Sequence, residues 1–128
     1  MDVRTMYERV TRYAKIPIPA FLDYYNDAAA GLLSTYGARH VLTGGVVQED
    51  ANSLDSATCI RREYDTAMMD KIIYLATGNT DRLTLYERDA DAAYRTVFRI
   101  LSRGKISNIR ATNDPFSAKC MREGEDDV

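Results

Sequence analysis

The feature that most constrains this chain is a pair of apolar stripes at helical spacing, running from Asn52 to Leu101 and reversing at Thr77-Gly78-Asn79-Thr80. Ala57, Ile60, Tyr64, Ala67/Met68, Ile72 and Leu75 recur at steps of three and four, as do Leu83, Tyr86, Ala90, Ala93, Val97 and Ile100. That spacing keeps one side of each helix apolar, so the two predicted helices can fold back on each other. Gly78 suits the left-handed conformation that ends a helix, and Thr80 with Asp81 can cap the next one and face its positive end. Asn52 or Ser53 is the expected cap of the first helix, with Asp55 in its first turn.

The segments before this hairpin are read the same way. Val3, Met6, Tyr7, Val10 and Ala14 share one face of a short helix over residues 2–14, too short to be stable unless it docks. Ile16-Pro17-Ile18-Pro19 breaks it, since each proline removes a donor and disfavours helical geometry before it. A second helix is predicted from Pro19 to Tyr36, with Phe21/Leu22, Tyr25, Ala28/Ala29, Leu32/Leu33 and Tyr36 inward and Gly37 ending it. From Ala38 to Ala51 the periodicity is lost. Arg39 to Leu42 reads as a short strand or extended segment and Gly44-Gly45 as a joint, in a loop expected to order only against a partner.

After Leu101, Ser102-Arg103-Gly104-Lys105 is expected to close the last helix, leaving Ile106, Ile109 and Phe116 in an irregular stretch. These side chains can pack back on the helices or serve as an arm that grips another subunit, for instance as an added strand. Residues 1–104 are therefore read as a helical domain and 105–128 as an irregular arm with a disordered acidic end. The fold class is all-α: a small antiparallel bundle of about four helices built on the C-terminal hairpin.

Length and composition fit that reading. A chain of 128 residues, 45% hydrophobic and 28% charged, has room for one domain able to bury roughly two thirds of its unfolded surface. The uncharged stretches fall short of a bilayer span, and the N-terminus opens an amphipathic pattern, so a cytoplasmic protein without a membrane partner is expected. Cys59 and Cys120 are too few and too scattered for a disulfide framework or a zinc site, and are read as incidental thiols. The net charge of -2 conceals a segregation: Arg95, Arg99, Arg103, Lys105 and Arg110 stand in a segment with no acid, whereas residues 123–128 hold four acids and no base.

Catalytic signals are missing from the sequence. The phosphate-binding, nucleophile-elbow and zinc-protease motifs do not occur, and His40 has only Arg39, Gln48, Glu49 and Asp50 as polar company in its loop. Asp23 and Asp27 share a helix face, but the acidic pairs that a second helix would need for metal-dependent hydrolysis are not there, so a solvated face is expected. Most tyrosines fall on inward stripes, while Tyr24, Tyr74 and Tyr94 lie off them and are read as subunit contacts. Arg88, Arg95, Arg99 and Arg103 follow one line of the last helix, which can be a solvated face, a subunit contact or a neutraliser of DNA phosphates. Asp81, Leu83 and Leu85 at that helix's start argue against a helix-turn-helix reader of bases.

The order of elements resembles the head-to-tail connector (head-completion or adaptor) proteins of tailed bacteriophages and prophages. The residues that carry the resemblance are the helix Val3 to Tyr13, the string Phe21-Leu22-Asp23-Tyr24-Tyr25-Asn26-Asp27-Ala28 through Leu32 to Tyr36-Gly37, and Tyr64 to Asn79 leading to Tyr86 and Ala92-Ala93-Tyr94-Arg95. It covers about residues 2–101. The resemblance implies a structural protein with no enzymatic activity and no cofactor, which assembles as a homo-oligomeric ring between portal and tail proteins, lets DNA pass without reading its sequence, and ends in the virion neck. On that reading Arg95, Arg99 and Arg103 form a charged lateral or portal-facing stripe, and Ile106, Ile109 and Phe116 anchor the arm. A small DNA-binding or regulatory protein using the basic segment is the alternative.

Overall fold

The computed structural model describes residues 1–44 and 49–113, with side chains as far as Arg103. Five α-helices and one 3-10 turn make up its regular structure: α1 (Val3–Val10), α2 (Ile18–Tyr36), α3 (Ala38–Val41), the turn Arg62–Tyr64, α4 (Asp65–Thr77) and α5 (Thr80–Asn113). The class is all-α, and among the described residues the only β pairing is an isolated antiparallel bridge between Leu42 and Ile60. The chain divides into two units, Met1–Tyr94 and Arg95–Val128.

In the first unit α1 and α2 both pack on α4. Asp2 caps α1 by accepting from the Thr5 amide at 2.7 Å, and Val3, Met6 and Val10 are buried as the periodicity predicts. The helix stops at Val10, short of the expected Ala14. The link to α2 is closed by the Tyr7 hydroxyl, which donates to the Ile16 carbonyl at 2.9 Å while its ring meets Phe21 edge-on at 5.0 Å. Pro17 and Pro19 then fix the entry into α2, and Gly37 ends it with a φ of 88°. Buried along α2 are Phe21, Leu22, Tyr25, Ala28, Ala29 and Leu32; along α4, Ala67, Met68, Ile72 and Ile73. Alanines at buried positions of both helices let the two axes come close. Each large side chain removed from water here stabilises the fold by roughly 1.5–3 kcal/mol.

The hairpin reverses at Gly78, which is left-handed with a φ of 73°. Asn79, rather than Thr80, caps α5: its side chain accepts from the Asp81 amide at 2.9 Å and its carbonyl from the Arg82 amide at 3.0 Å.

Three expectations are corrected. The first arm of the hairpin begins at Asp65 and not at Asn52, because residues 51–61 find partners that a helix would forbid. Asn26 of α2 bonds the Ala51 backbone in both directions, at 3.0 and 2.8 Å, and Ser56 Oγ accepts from the amides of Asn52 and Ser53. Arg61 and Thr43 donate across the Leu42–Ile60 bridge. Second, the described part of the 38–51 loop is ordered by its own chain, with α3 where an extended segment was one expectation; residues 45–48 lie outside the described residues. Third, Gly104 does not end α5, which continues to Asn113. Ile106 and Ile109 therefore belong to helical backbone and not to an irregular arm, while Phe116, Cys120 and the acidic end lie outside the described residues.

Candidate interaction surface on the last helix

In the unit that begins at Arg95, α5 separates its side chains by face. Val97 and Leu101 are buried, whereas Arg95, Phe98, Arg99, Ile100 and Arg103 are exposed, Phe98 to 51% and Ile100 to 36%. At 3.6 residues per turn, Arg95, Arg99 and Arg103 succeed one another at steps of four, with Phe98 on one flank and Ile100 on the other. The structure thus gathers five of the six expected contact positions on one continuous helix and leaves Phe116 outside the described residues.

Sequence reasoning missed Phe98 and turned Ile100 inward. The inward stripe runs Ala90, Ala93, Val97, Leu101, so its last step is four residues and not three. Either step suits a helix, and only the choice between Ile100 and Leu101 decides which apolar residue faces water. Arg88, expected on the same line, turns sideways to Asp89 at 3.4 Å, an exposed contact of small worth.

The other expected contact residues stay with the first unit. Tyr94 stacks on Tyr36 with ring centroids 5.1 Å apart, His40 lies 4.9 Å from the Tyr94 ring, and Tyr36 meets Tyr64 at 6.0 Å. Tyr94 thus packs within the first unit, and His40 is part of the same aromatic cluster. The Tyr64 hydroxyl, buried without a hydrogen-bond partner, has its ionisation pushed well above the ordinary phenol range by burial. Lys71 lies over the rings of Tyr86 and Tyr74, at 4.9 and 5.6 Å. Asp23 and Asp27 are both exposed.

A polar cluster that the sequence reading passed over spans the hairpin. Asp70, 5% exposed, is the one charged residue among the buried side chains described, and its Oδ1 accepts from Arg82 Nη1 at 3.2 Å. Arg82 also covers the Tyr13 ring at 4.7 Å. The available signal was Asp70 itself, three residues from both Ala67 and Ile73, an acid standing on an apolar side. Elsewhere in the first unit, an open depression of about 670 Å³ is lined by Met1, Asp2, Asp55, Thr58 and Arg61 among others. Its charges are partly spent: Asp55 accepts from Arg4 at 2.8 Å, and the terminal amine of Met1 reaches Asp65 at 3.2 Å. Among the described residues no three His, Cys, Asp or Glu side chains gather as a metal site would require, and no helix is long and apolar enough to cross a membrane.

Comparison of the chain with protein-family models, with curated proteins and with solved structures gives no match.

Proposed function

We propose that this chain is a non-enzymatic structural protein that works by docking: a head-to-tail connector of a tailed phage or prophage, assembling as a ring between portal and tail. The observation that carries the proposal is the last helix. It is 34 residues long. Beyond Tyr94 it displays Phe98 and Ile100 beside Arg95, Arg99 and Arg103. Large apolar side chains edged by arginine are the kind of residues that anchor protein interfaces. The resemblance of residues 2–101 to connector proteins supplies the class of partner, a portal ring on one side and a tail component on the other. The arginines steer the chain to acidic partner surfaces, and the apolar residues hold it there once water is expelled.

The test is co-sedimentation of the intact chain with portal rings made from the gene that lies beside its own. Pelleting with the rings, in a form that weakens at high salt, is the expected result. A gene neighbourhood with no portal, capsid or tail gene, or portal rings that leave the chain in the supernatant at low salt, overturns the assignment.

A further inference from the structure

Asp70 stands on the side of α4 that meets α5, and only 7% of its side chain is exposed. Its two oxygens fare differently. Oδ1 receives the Arg82 hydrogen bond, while Oδ2 is buried and receives none. Arg82 also lies over the Tyr13 ring at 4.7 Å, and it bonds only the first oxygen. Asp89 follows Arg82 by seven residues, about two turns along the same side of α5, and this second acid acts on Asp70 across the hairpin. A carboxylate only accepts, so two ionised groups here would leave both without a donor and repel each other. A proton on Asp70 removes both difficulties, since a carboxyl group donates.

The surrounding charges do not offer another solution. Arg88 reaches the outer side of Asp89 at 3.4 Å and is 69% exposed. Lys71, next to Asp70 in the chain, is turned to the rings of Tyr74 and Tyr86. From α2 the buried titratable group is Tyr25, whose hydroxyl donates to Thr58 at 2.6 Å. On α1, Arg4 is committed to Asp55, and Glu8 and Arg9 are exposed.

We propose that Asp70 carries a proton in the folded chain near neutral pH and donates it to Asp89, so that a carboxyl–carboxylate hydrogen bond clasps α4 to α5 and loosens as the pH rises. Burial first, and then Asp89, push the Asp70 carboxyl up from 3.8 to about 7, against the opposing pull of Arg82. In the unfolded chain the same group ionises near the ordinary aspartate value of about 3.9. Between that value and about 7 the folded chain therefore holds more protons than the unfolded one, so stability falls as pH rises through this window and levels off above it.

Two measurements test the clasp. A carbon-13 titration of the Asp70 side-chain carboxyl in the intact protein should give a midpoint near 7, and Asp89→Asn, whose amide can donate to Oδ2, should move that midpoint toward the ordinary aspartate range. A midpoint near the ordinary value of about 4 in the unaltered protein overturns the proposal, as does a midpoint that Asp89→Asn leaves unmoved. The Asp70→Asn chain should keep the shape and lose the titration. Its melting temperature should exceed that of the unaltered chain above neutrality, with the acid-to-neutral decline flattened. An Asp70→Asn chain that folds and still shows the full decline contradicts the clasp.

Discussion

Up to Tyr94, α5 buries Ala90 and Ala93, pairs Arg82 with Asp70, and lays Tyr94 on Tyr36; from Arg95 onward the same helix leaves Phe98, Arg99, Ile100 and Arg103 in water. Nothing in local helix propensity separates the halves. The distinction lies in what the side chains do. In the first half Arg82, Tyr86 and Tyr94 each meet a side chain of the first unit. In the second, apolar area of a size usually hidden is displayed next to positive charge. A helix that only needed to close a bundle would gain from placing polar residues at 98 and 100. The contrast assigns stability to one stretch and recognition to the other.

Truncations give the sharpest separation. Phe21→Ala or Tyr64→Ala, both in the first unit and fully buried, should cost about 3–5 kcal/mol in urea unfolding. Phe98→Ala should cost no more than about 0.5 kcal/mol. If the two losses are similar, Phe98 is a core residue and the contrast collapses. Next in size is the hairpin turn: Gly78→Ala forces a side chain into a left-handed conformation and should lower stability by about 1–2 kcal/mol, with the helical circular dichroism signal retained below the transition. Smallest for folding is the charge reversal Arg99→Glu with Arg103→Glu. The unfolding midpoint should stay where it is, while binding to portal rings falls and loses its salt dependence. A midpoint that drops instead would make these arginines structural.

Much of the first unit was legible from spacing alone. The buried positions of α1 and α2, the stops at Gly37 and Gly78, and Ala67, Met68 and Ile72 of α4 follow from periodicity and from what glycine and proline permit, whereas the buried Asp70 and Ile73 lie off the expected stripe. The stretch before α4 was not legible, because Ala57, Ile60 and Tyr64 keep helical spacing although Asn26 and Ser56 bind that backbone, and Tyr25 the Thr58 hydroxyl, in a nonhelical path. Hydrogen bonds from distant side chains leave no trace in local periodicity. Gly104 misled for a different reason. An interior glycine costs a helix only about 1 kcal/mol relative to alanine, less than an uninterrupted 34-residue helix can absorb, and no proline follows until Pro115. The surface on α5 was half legible: the arginines could be counted, but whether Ile100 or Leu101 points inward depends on one helical step.

Hydroxyl-radical footprinting of the intact chain, free and bound to portal rings, tests the central claim most directly. Oxidation of Phe98 and Ile100 should fall on binding, while Tyr13 and Ile18, the large exposed apolar residues of the first unit, stay as reactive as before. Protection of Tyr13 and Ile18 with Phe98 unchanged would contradict the account, because the docking surface would then lie on the unit assigned here to stability.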